Sequence, residues 1–125
     1  MDIEQEIIAK GLTAPRITPA HIESVIESEY CFTVGDAITG ELFAKYSSVI
    51  GSDYPPSLDL LTICVLVLKN GFTVIGESAC ASPENFNAEI GRKIARENAV
   101  NKIWPLEGYL LKEALTTGSS LPLTQ

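Results

Sequence analysis

This chain of 125 residues holds only one histidine, one tryptophan, one methionine and three cysteines. A lone His21 and the dispersed Cys31, Cys64 and Cys80 do not supply the clustered ligands of a usual zinc site, so no metal is expected. The odd thiol count argues against a disulfide frame and for a reducing compartment. Basic residues are also scarce, nine against 16 acidic ones, for a formal net charge of −7. That balance excludes general binding to nucleic acid or to an anionic membrane. The longest apolar run, Leu60 to Leu68 broken once by Thr62, is too short to cross a bilayer. The acidic start, Asp2-Ile3-Glu4-Gln5-Glu6, lacks the basic region of a signal peptide, so a cytoplasmic chain is expected. No P-loop, G-x-G-x-x-G, G-x-S-x-G or H-E-x-x-H motif occurs. Neither catalysis nor a cofactor is therefore expected.

What is present reads as one α+β domain. Its length buries about two thirds of the surface that the unfolded chain exposes. Residues 1–14 read as an N-terminal arm, 15–116 as a single globular domain and 117–125 as a flexible tail. Charge divides the chain. Residues 1–60 hold ten acids and three bases, whereas 61–125 hold six of each, so an anion site belongs to the second half.

Taken in order, Ile3, Ile7 and Ile8 recur at helical spacing before Gly11, a suitable C′ residue. Thr18-Pro19 is an N-cap followed by proline at the first helical position, with Ile17 and Ile22 placed for a hydrophobic staple. The stripe Ile22, Val25, Ile26, Tyr30 extends that helix over about 18–30, and His21 in its first turn reads as a solvated surface residue. Cys31-Phe32-Thr33 reads as a short extended link, 35–46 as a helix weakened by Gly40, and 47–59, with Gly51, Pro55 and Pro56, as a loop.

The clearest local signal is a β-hairpin, about 61–69 and 72–79, around Asn70-Gly71. A two-residue type I′ turn there sets Lys69 opposite Phe72, Val67 opposite Val74 and Cys64 opposite Glu77. One face then carries Ile63, Val65, Val67, Phe72, Val74 and Ser78, and the other Thr62, Cys64, Leu66, Leu68, Ile75 and Glu77. Both are mainly apolar and need covers: helices, a third strand or a second subunit. Glu77 on such a face lies either in water at a frayed end or in a structural pair, with Lys102 the first choice.

A charged helix over about 83–103 follows. Its cap is Ser82 before Pro83, or, for a later start, Asn85 or Asn87. Ile90, Ile94, Ala95, Asn98, Asn101 and Lys102 share its expected packing sector, while Arg92, Lys93 and Arg96 look outward. Asn98 and Lys102 need partners there. Pro105 kinks or restarts the helix, and a last one covers about 105–115 with Leu106, Leu110 and Leu111 as core. A strand feeding a Ser/Asn-rich turn and a helix N-terminus favours anions. The candidate ligand residues are Ser82, Asn85, Arg92, Arg96, Asn98 and Lys102, with the aromatic rings of Trp104 and Tyr109. Against this, Glu84, Glu89 and Glu97 can satisfy the same bases by i,i+4 pairing.

The stretch Gly76 to Leu111 runs through Ser82-Pro83-Glu84-Asn85, Gly91-Arg92-Lys93 and Trp104-Pro105-Leu106-Glu107-Gly108-Tyr109. With Thr18-Pro19 and Tyr30-Cys31-Phe32-Thr33, it resembles the gene-product-49/66 family of small tailed-phage proteins, over about residues 15–115. The resemblance implies a phage origin and action in the host cytoplasm, and it supplies no activity. A phage accessory protein of this kind is expected to work by binding. The first reading is an oligomeric sponge that sequesters a phosphate-bearing nucleotide signal of host defence. The alternative is an acidic inhibitor or adaptor of a host protein.

Overall fold

Three strands and five α-helices organise the chain in the computed structural model, which describes residues 2–47 and 54–118. The remaining part of the expected loop, 48–53, and of the expected tail, 119–125, lies outside the described residues. Helix α1 (Ile3–Ala9) is closed by a capping box in which Asp2 Oδ1 accepts from the Gln5 amide (2.8 Å) and Gln5 Oε1 accepts from the Asp2 amide (3.0 Å). Gly11, at φ 68°, is the left-handed residue past its end. No residue of α1 is buried, and Arg16 ties it to the body through Glu4 at 2.6 Å.

Thr18 caps α2 (Pro19–Ser24) as its sequence predicts, accepting from the His21 amide at 3.1 Å, and Ile22 is buried. The helix stops after six residues, well short of Tyr30. Residues Ile26–Thr33 form strand β1, paired antiparallel to β2 (Leu61–Leu68). The run Val25-Ile26-Glu27-Ser28-Glu29-Tyr30-Cys31-Phe32-Thr33 contains both periods, and its β-branched and aromatic residues suit the strand once an edge of β2 is free to pair. Helix α3 (Val34–Tyr46) begins directly after β1, capped by Thr33 Oγ1 on the Asp36 amide, and ends at Ser47 in a left-handed conformation. A 3₁₀ turn at Pro56–Leu60 leads into β2.

Strand β3 (Thr73–Ala79) completes an antiparallel sheet of order β1-β2-β3. The hairpin turn differs from the expected type I′. Leu68 donates to the Phe72 carbonyl and accepts from the Gly71 amide, both at 2.8 Å, so three residues form the loop. Gly71 alone takes positive φ, at 88°, and Asn70 Oδ1 accepts from the Phe72 amide at 2.9 Å. Every cross-strand partner is therefore one residue away from the type I′ register: Leu66 faces Val74, Cys64 faces Gly76 and Ile63 faces Glu77. A shift of one exchanges the faces of β3. Val74 and Gly76 now point to the buried side with Thr62, Cys64, Leu66 and Leu68, whereas Ile75 and Glu77 point away.

Packing explains this register. After a 3₁₀ turn at Pro83–Asn85, helix α4 (Ala88–Asn101) crosses β3 and β2 with Gly91, Ala95 and Ala99 buried at four-residue spacing. A Cβ at Gly76 would run into the Ala95 carbonyl and the Ala99 amide, so helix and strand backbones touch. The isoleucines expected in the packing sector, Ile90 and Ile94, lie at its margin and are 55% and 44% exposed. Small residues win the central stripe because they allow the closest approach. The Thr62 hydroxyl beneath Gly91 is buried with no hydrogen-bond partner among the described residues.

Helix α5 (Ile103–Thr117) restarts immediately after Lys102, with Pro105 in its first turn where no intrahelical donor is needed. Ile103 is buried, Trp104 and Leu106 pack against the same core, and Leu110 is exposed rather than core. His21 is likewise not a surface residue. It is buried, and its Nε2 lies 2.6 Å from Glu107 Oε1, locking α2 to α5. Among the described residues no helix is long and apolar enough to cross a membrane.

Candidate functional site

Helix α4 is the basic element, and Asn87 rather than Ser82 or Asn85 starts it, its Oδ1 accepting from the Ile90 amide at 3.0 Å. Ser82 makes no capping bond; its carbonyl accepts from the Cys80 thiol at 3.2 Å. Asn85 borders a pocket of about 160 Å³ between the end of β3 and the first turn of α4, with Phe86, Ile90 and Ile94.

Arg96 carries the densest polar geometry among the described residues. Its Nη1 and Nη2 donate to the two carboxylate oxygens of Glu23 at 3.1 and 2.9 Å, and its Nε to those of Glu29 at 3.2 and 3.3 Å. The guanidinium thus pins α4 to both α2 and β1. The hydrogen bonds from Arg96 hold the Glu23 carboxyl below its usual value, and the same contacts raise Arg96. Neither acid was visible as a partner in the sequence, since both lie more than sixty residues away.

The other predicted ligand residues scatter. Asn98 finds a partner, donating through Nδ2 to the Glu77 carbonyl at 2.8 Å. Lys102 caps the end of α4 in solvent, and Glu77 is exposed on the far face of the sheet. No Glu77–Lys102 pair forms among the described residues, because the register turns Glu77 away from the helix layer. Arg92 is exposed and Lys93 pairs with Glu89 at 3.2 Å. Trp104 is half-buried in the core, while Tyr109 is 72% exposed and borders a groove of about 440 Å³. That groove, between the hairpin tip and α5, is lined by Leu68, Phe72, Leu106, Glu107 and Leu110 as well. It lies on α5, apart from the α4 arginines.

Sheet pairing also assembles a cluster that spacing in sequence did not reveal. Cys31 and Cys64 stand directly opposite one another, and Glu29 is two residues along the same face of β1. One donor atom from each of the three lies within 4.8 Å of the others. A thiophilic cation could use this set only by stripping the thiol protons and competing with Arg96 for Glu29. Burial, and then the contact with Cys31, pushes the Cys64 thiol up to about 12, so this side chain behaves as a protonated core group at neutral pH.

Fold and site together define a small α+β domain, an antiparallel three-stranded sheet with one helix layer pinned by Arg96. The Phage protein (N4 Gp49/phage Sf6 gene 66) family matches residues 17–115, and the chain belongs to that family. No curated protein and no solved structure matches it.

Proposed function

We propose that this chain is a non-enzymatic phage accessory protein that acts in the host cytoplasm by binding a host protein with a basic surface. The observation that carries the choice is the state of Arg96. The side chain best suited to grip a phosphate gives its hydrogen bonds to Glu23 and Glu29. A nucleotide would have to displace two carboxylates that compensate its charge. Sequestration of a nucleotide signal is the competing reading.

The acidic half supports a protein partner. Its three bases are all held in pairs with acids of the same half: Lys10 with Glu6, Arg16 with Glu4 and Lys45 with Glu41. Glu23 and Glu29 hold Arg96, and the further exposed acids of the half, Asp2, Glu27 and Asp36, are left for an external cation-rich surface. Two measurements on the full chain test the choice. A thermal-shift screen against cyclic and linear nucleotides is expected to leave the melting temperature unchanged. A host protein captured from lysate is expected to release as salt rises and, once purified, to bind the chain directly with the same salt dependence. A nucleotide that raises the melting temperature in the wild type but not in Arg96→Glu would overturn the proposal.

A further inference from the structure

The sheet has two apolar faces and α4 covers one of them. On the other, Tyr30, Val65 and Ile75 are in register across the three strands, beside Phe32, Ile63 and Val67. Tyr30 is 59%, Ile75 47% and Phe32 38% exposed. Six contiguous apolar side chains on a sheet face differ from the singly scattered ones normal on a protein surface.

We infer that this face is the contact between two copies of the chain, stacked as a β-sandwich about a two-fold axis that crosses the strands. The charges at its two ends select this occupant. Glu77 closes the face beside Ile63, and Lys69 stands at the opposite end, where β2 enters the turn. Among the described residues neither takes part in an ion pair. Face-to-face stacking of identical sheets requires the two-fold axis to lie in the contact plane. An axis along the strands would set the Glu77 ends of the two sheets over one another. An axis across them reverses the strand direction, brings the Glu77 end of each sheet over the Lys69 end of the other, and opposes Val65 of each copy to Val67 of the other. The face is thus complementary to itself in charge as well as apolar.

Its size sets the strength. Three strands about 4.8 Å apart and some 20 Å long give a footprint of roughly 300 Å² before side-chain relief. That falls short of the roughly 800 Å² per partner of a standard interface, so the dimer forms in the micromolar range or weaker. This inference is independent of the proposed host partner.

Sedimentation of the full chain from roughly 10 µM to 1 mM tests it. The expected result is a rise from monomer to dimer mass. Val65→Lys is expected to remain monomeric throughout, with an unchanged circular dichroism spectrum. Glu77→Lys and Lys69→Glu are each expected to weaken the dimer by roughly tenfold, since the symmetry repeats the contact, and the double exchange to restore it. The last pair lies in solvent, so it remains informative if Val65→Lys does not fold. A wild-type chain that stays monomeric at the highest concentration would overturn the inference. So would a dimer indifferent to Val65→Lys, or one strengthened by Glu77→Ala.

Discussion

The two faces of the sheet have nearly the same composition along β2 and opposite surroundings. Thr62, Cys64, Leu66 and Leu68 are buried on the side that the helices cover, whereas Ile63, Val65 and Val67 point to the open side. Hydrophobicity does not separate them. The difference comes from β3, which places Val74 and Gly76 on the covered side and Thr73, Ile75 and Glu77 on the other. Gly76 lets α4 approach to backbone contact, and Gly91, Ala95 and Ala99 meet it with side chains small enough to fit. Shape complementarity, not greasiness, decides which face a helix takes.

The largest break in that comparison is expected at the point of contact. Gly76→Val would place a branched side chain into the backbone of α4, and its cost is expected to exceed about 3 kcal/mol, enough to unfold a marginal domain. Its neighbour on the open side, Ile75→Ala, is expected to cost under about 1 kcal/mol in dilute solution. Urea melts of the two variants check the contrast. Equal costs would mean that the faces are not distinct.

The helix layer is held at its other end by a side-chain hydrogen bond rather than by close approach. His21→Ala would leave the partly buried Glu107 without this partner, and a loss of about 1–3 kcal/mol is expected from the same melts. A smaller effect is expected at the exposed Arg96 junction. Arg96→Ala is expected to cost about 1 kcal/mol at neutral pH, discounted because Glu23 is more than half exposed. The sign with pH follows from Glu23. Its carboxyl lies below the usual 4.5 in the folded protein, so its contribution is present above that value and is lost as pH falls through the lower folded value. The melting temperatures of wild type and Arg96→Ala are therefore expected to converge on acidification below 4.5. Curves that stay parallel would show that the junction does not depend on this carboxylate.

Much of the fold was legible from local chemistry. The Thr18-Pro19 cap, the Asn70-Gly71 reversal, the restart near Pro105 and the later cap at Asn87 each depend on groups a few residues apart. Two features misled the reading for the same reason. The stripe Ile22, Val25, Ile26, Tyr30 fits a helix as well as a strand, and only an available edge of β2 settles it. Asn-Gly serves both the two-residue and the three-residue turn, and local energies do not separate them strongly.

The expected ligand cluster met a different obstacle. Arg96 carries a charge that sequence shows, but Glu23 and Glu29 reach it only through the packing of α2 and β1 on α4. His21 finds Glu107 in the same way. The sequence by itself determined the α+β class, the hairpin, the Thr18 cap and the family, because these rest on neighbouring residues or on the pattern as a whole. Tertiary structure alone decided the register, the third strand, the covered face and the partners of Arg96 and His21. Those choices turn on which backbones can approach closest, a property of two distant segments at once.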